Sequence, residues 1–75
     1  MTSYKNLNGD SGILEYKIGT NYILILFKKT GTYKYDYINV GKVHVEAMQK
    51  LAKQGPGLNT YINDYLEDKK VSQIS

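Results

Sequence analysis

The sequence predicts a small α+β domain, a three-stranded antiparallel meander with two helices packed on one face, in the order βββαα. Three observations point there. Apolar and polar residues alternate through 14–18 and again through 32–38. The stretch between them, 22–27, is apolar at every position. From residue 40 the apolar period lengthens to that of a helix, with a Gly-Pro-Gly break at 55–57.

The first strand places Leu14, Tyr16 and Ile18 on one side and Glu15 and Lys17 on the other. The apolar stretch, extended to residues 22–29, reads as the central strand. Tyr33, Tyr35 and Tyr37 alternate with Lys34 and Asp36 in the third. Gly19-Thr20 suits a type II′ turn, whose first central residue needs a positive φ. That turn pairs Ile18 with Asn21, Tyr16 with Ile23 and Leu14 with Ile25. Thr30 is β-branched and fits poorly where a type I′ turn needs positive φ. A three-residue loop, Lys29-Thr30-Gly31, is expected instead, with Gly31 left-handed. It pairs Phe27 with Tyr33, Ile25 with Tyr35 and Ile23 with Tyr37.

Both turns sort the residues the same way. The core face carries Leu14, Tyr16, Ile18, Ile23, Ile25, Phe27, Tyr33, Tyr35 and Tyr37. The outer face carries Ile13, Glu15, Lys17, Tyr22, Leu24, Leu26, Lys28, Lys34 and Asp36. A slip of one residue would exchange the faces.

The helices cover the core face. Val40, Val43, Ala47 and Leu51 form the stripe of the first, flanked by His44, Met48 and Ala52. Lys42, Glu46, Gln49, Lys50 and Lys53 fall on its solvent side. Asn39 is the expected N-cap, and Gly55 followed by Pro56 ends the helix. A second helix over residues 58–67 buries Leu58, Tyr61, Ile62, Tyr65 and Leu66, with Lys69 and Lys70 beyond it where positive charge suits the helix dipole. Residues 1–10 read as a flexible or loosely docked arm, 11–68 as the domain, and 69–75 as a tail that adds a short edge strand or stays loose.

Composition narrows the function. A chain of 75 residues is enough for one domain. It has no cysteine, which excludes disulfides and thiolate zinc sites and fits a cytoplasmic protein. The longest apolar run, 22–27, is far too short to span a membrane, and residues 1–10 lack the apolar core of a signal peptide. The net charge of +3 is a weak electrostatic signal. Every basic residue is lysine, and arginine, the better phosphate and base reader, is absent.

Little suggests catalysis. His44 reads as a residue at the apolar edge of the first helix with its polar tip in solvent, because a general base needs a partner and none is evident locally. Asp64, Glu67 and Asp68 share a helix side but read as a solvated end rather than a cation site. Gly55-Pro56-Gly57 lacks the preceding strand and following lysine of a phosphate loop. The expectation is no enzymatic activity, no metal and no small-molecule cofactor.

Two binding surfaces remain. Ile13, Tyr22, Leu24 and Leu26 form an apolar outer patch suited to a protein partner or a second copy, unless the arm, with Tyr4 and Leu7, folds over it. Tyr33 and Tyr35, with Lys17, Lys28 and Lys34, could instead stack the bases and meet the phosphates of RNA or another single strand. The helix-covered position of the tyrosines favours a core role for them.

The order of motifs resembles the KTSC domain, named for its occurrence at the C-terminus of some lysyl-tRNA synthetases and found also in small bacterial and phage proteins. The resemblance runs from residue 14 to about 66. Tyr33-Lys34-Tyr35 stands where that family has its Tyr-x-Tyr motif. Gly55 and Leu58-Asn59-Thr60-Tyr61-Ile62 stand where it has a glycine and a Phe-Asn-x-x-Ile-like segment. Leu58 replaces the aromatic residue, and Lys53 or Gln54 occupies the place of the serine the family often carries. The resemblance implies a non-enzymatic interaction module, with Tyr33, Tyr35, Gly55, Asn59 and Ile62 as its signature. It also implies RNA as the alternative partner to protein. Asn59 is expected to cap backbone donors in the first turn of the second helix.

Overall fold

The computed structural model describes residues 1–5, 12–66, 69 and 71–74. Its sheet has five antiparallel strands in chain order: β1 (Thr2–Ser3), β2 (Ile13–Ile18), β3 (Tyr22–Phe27), β4 (Gly31–Asp36) and β5 (Ser72–Gln73). The three central strands are those the alternation predicts. The added two are two-residue edges drawn from the arm and the tail, too short to leave a periodic signal. Short edges also limit the backbone open to stray pairing.

Helix α1 (Lys42–Gln54) follows β4, and α2 (Leu58–Tyr61) runs on into a π-helical turn, Ile62–Leu66. Val45, Met48, Ala52, Leu58, Ile62 and Leu66 are buried in one cluster with Ile23, Ile25 and Tyr35. The helices therefore lie against the face predicted to be core. Ile23, Ile25, Val45 and Met48 are fully enclosed. Each such side chain contributes about 1.5–3 kcal/mol relative to leaving it in water.

Both hairpins pair two residues away from the expected register. Tyr16 faces Ile25 rather than Ile23, and Ile25 faces Tyr33 rather than Tyr35. Gly19 does not take the positive φ of a type II′ turn. The Gly19 N–H instead donates to the Tyr22 carbonyl at 2.9 Å, closing a longer connection. The Gln49 side chain of α1 then donates to the Gly19 and Tyr22 carbonyls, at 3.0 Å each. Gln49 is thus turned onto the sheet instead of out to solvent. The second connection comprises residues 28–30, and Gly31, at φ 103°, opens β4 opposite Phe27. A slide of two residues preserves parity, so the faces survive the error.

One strand end does change face. Glu15 pairs with Leu26 but Ile13 pairs with Phe27, so Leu14 is an extra residue in a β-bulge. The bulge reverses the alternation. Ile13 is 1% exposed in the core, not on the outer face, and Leu14 is 45% exposed, not in the core.

The start of α1 also departs from expectation. Asn39 does not cap it: the N-cap is Gly41, at φ 95°, with no side-chain cap bond. Asn39 instead accepts from the Asp36 N–H at 2.9 Å and donates to the Lys34 carbonyl at 2.9 Å. Asp36 in turn accepts from the Ile38 and Asn39 N–H groups, building an Asx-type turn. Val40 is buried in that turn, outside the helix. Because Val40 lies outside α1 it does not set the phase of the helix, and the stripe expected from it differs from the observed one, in which Val43 is 78% exposed and Val45 wholly buried. Gly55, at φ 108°, ends α1 as expected, its N–H donating to the Leu51 carbonyl at 2.9 Å.

Candidate functional site

Two surfaces carry the candidate chemistry, on opposite sides of the sheet. On the outer side the three strands present cross-strand rows. Leu26 lies between Glu15 and Thr32, and Leu24 between Lys17 and Lys34. Tyr22 lies opposite Asp36. Tyr22, Leu24 and Leu26 are all half-buried. The Tyr22 ring lies over Gly19, where a Cβ would collide with it, and the Lys34 ammonium stands 5.0 Å from the ring centroid. Lys34 thereby covers part of the apolar row with its stem and a cation–π contact.

The four residues expected at a protein interface are thus not all together. Tyr22, Leu24 and Leu26 share the outer face, while the bulge removes Ile13 to the core. Tyr4, proposed as a cover for this face, is buried in the core cluster instead. Leu7 lies outside the described residues.

The nucleic-acid set is divided as well. Lys17 and Lys34 belong to the outer face and Lys28 is exposed in the loop after β3, but Tyr33 and Tyr35 lie on the helix side. There they line an open groove of about 500 Å³. Phe27, Tyr33 and Tyr35 come from the sheet, Ile62, Asn63 and Leu66 from the π-helical turn, Thr30 from the loop after β3, and Lys69 and Val71 from the segment before β5. Phe27 and Tyr33 meet edge to face, with centroids 5.6 Å apart.

Tyr35 is only 4% exposed. No wholly enclosed side-chain N or O among the described residues lacks a partner. The Tyr35 hydroxyl bonds to none of those residues, so it is not wholly enclosed, and Tyr35 lines the groove. Burial, and secondarily the neighbouring Tyr33, pushes its pKa up to about 12. At neutral pH it is a protonated hydrogen-bond donor.

Of the family signature, Tyr33, Tyr35 and Ile62 converge on the groove, while Gly55 is the helix cap. Asn59 does not cap α2, whose N-cap is Gly57, and is half-buried in its first turn.

His44 has the partner that local sequence did not reveal. Its Nδ1 lies 2.7 Å from the Tyr61 hydroxyl, joining α1 to α2. The Tyr61 ring stands edge-on to His44 and packs at 4.8 Å on Tyr65. Burial, with the adjacent Tyr65, raises the Tyr61 pKa and keeps its hydroxyl protonated. Tyr65 is 57% exposed and leaves the expected core stripe of the second helix, while Leu58, Ile62 and Leu66 are buried and Tyr61 packs half-buried against the core. Glu67 and Asp68 of the acidic cluster lie outside the described residues. Among the described residues no group of three His, Cys, Asp or Glu could hold a metal ion, and no helix is long and apolar enough to cross a membrane.

The groove gave little warning in the sequence. Its walls come from four separated segments, and Lys69 and Val71 lie in a tail expected to add a short edge strand or stay loose. No family model, curated protein or solved structure matches the chain.

Proposed function

We propose that this chain is a non-enzymatic protein-interaction module of the KTSC type, and that its outer sheet face binds a second copy of itself. The observation that carries this reading is the row Tyr22, Leu24, Leu26 on the central strand, opposite the face that packs the helices. A domain of this size has few apolar side chains to spare from its core.

The charges around the row suit self-pairing. Take a two-fold axis that crosses the strands between the Leu24 and Leu26 rows. It sets Leu24 against Leu26 of the second copy and Glu15 against Lys17 of the second copy. A self-complementary patch of this kind is what a two-fold interface requires. The Lys34 stem must swing off Tyr22 to expose the ring, a change confined to one flexible side chain.

The nucleic-acid alternative has less support, because Tyr33 and Tyr35 stand on the opposite side of the sheet from Lys17 and Lys34. A strand stacked on the tyrosines would not meet those lysines.

Sedimentation velocity over a concentration series tests the reading. The wild-type chain should gain mass with concentration, whereas Leu24→Lys, checked for folding by circular dichroism, should remain one chain. A wild-type chain that stays monomeric at millimolar concentration rejects self-association.

A further inference from the structure

We propose that the groove between β4 and the π-helical turn binds a small, flat aromatic acid, with its ring inside and its carboxylate at the mouth. This site is independent of the outer face. Four features select that ligand. The volume of about 500 Å³ lies within the range of small-molecule sites. The walls are aromatic and aliphatic: Phe27, Tyr33, Ile62 and Leu66 favour a ring over a flexible polar ligand.

The third feature is the Tyr35 hydroxyl. Tyr35 is 96% removed from solvent and lines the groove, and its hydroxyl is a donor without a partner among the described residues. Water can reach such a group through the open groove, and a ligand acceptor would take that water's place. A ring bearing a hydroxyl or carbonyl on its inner edge would do so. The fourth is Lys69, exposed at the rim, which supplies a positive charge where the outer end of the ligand would emerge. The π-helical turn forms one wall, and such turns are frequent at functional sites.

The probe is 6-hydroxy-2-naphthoate, which carries an inner hydroxyl and an outer carboxylate on opposite ends of a flat ring. It is titrated into the full chain and followed by amide chemical shifts and calorimetry. The expected result is saturable binding, with the largest shifts at Phe27, Tyr33, Ile62 and Asn63. Tyr35→Phe, folded by its spectrum, should bind about five-fold more weakly, as for loss of one neutral hydrogen bond. 2-Naphthoate, which lacks the hydroxyl, should bind both proteins equally. Lys69→Gln should weaken binding about three-fold and flatten its salt dependence. Several outcomes overturn the proposal: no saturation at millimolar probe, equal affinity of Tyr35→Phe for the hydroxylated probe, shifts centred on Leu24 and Leu26, or tighter binding of adenosine monophosphate, which would make the site a nucleotide site.

Discussion

Ile25 and Leu24 are neighbours on the same strand, and exchanging them in the argument would exchange core and surface. Ile25 is wholly buried between Tyr16 and Tyr33, whereas Leu24 is half-buried between Lys17 and Lys34. Truncating a fully enclosed isoleucine to alanine costs about 3–4 kcal/mol, the transfer term plus the cavity it leaves. A domain of 75 residues has a total stability of about 4–11 kcal/mol. Ile25→Ala should therefore remove a large share of it. With a urea slope of about 1 kcal/mol per molar, the midpoint should fall by about 3 M. Ile25→Val, which stays folded in any case, should lower it by about 1 M. Leu24→Ala should cost only about 0.5–1 kcal/mol in the monomer. The assay is urea unfolding followed by circular dichroism, at a concentration low enough to prevent association. If Leu24→Ala proves as costly as Ile25→Ala there, the assignment of the faces is wrong.

Other outcomes follow from the same geometry. Ile13→Ala should destabilise by about 2–4 kcal/mol and Leu14→Ala by less than about 1, measured in the same assay, because the bulge reverses their burial. A thermodynamic cycle of His44→Ala and Tyr61→Phe should show a coupling of about 0.5–1.5 kcal/mol, and simple additivity would mean the clasp is not formed in solution. Stability should decline as pH rises from about 10 to 12, since the unfolded chain gives up the Tyr35 proton at the ordinary tyrosine pKa while the native chain keeps it until about 12. Two pKa units correspond to about 2.7 kcal/mol, reduced to about 1–2 because the groove admits water to the hydroxyl. Tyr35→Phe should flatten that decline in a series of urea curves.

The sheet and its faces were legible because parity is a robust signal. Both hairpins slid by two residues and still left Ile23, Ile25 and Tyr35 inside. The slide of the first hairpin was not legible, because Gln49 of a distant helix bonds the carbonyls of Gly19 and Tyr22 that flank its connection. The bulge at Leu14 was hidden for a related reason: Ile13 and Leu14 are adjacent and both apolar, so either could face inward. Val40 misled the phase of α1 by being buried in the turn before it. The outer row of Tyr22, Leu24 and Leu26 could be read only through its alternating neighbours and the two turns, because the strand itself is apolar throughout. The groove could not, since it exists only where β4, the π-helical turn and the tail come together.

The proposed role of the outer face is reached most directly by isotope-filtered NMR on an equal mixture of ¹³C-labelled and unlabelled chains. Pairing through that face predicts cross-peaks between the labelled methyls of Leu24 and Leu26 and protons of unlabelled copies, growing with concentration. Their absence at millimolar protein, with tumbling times of a single chain, would contradict it.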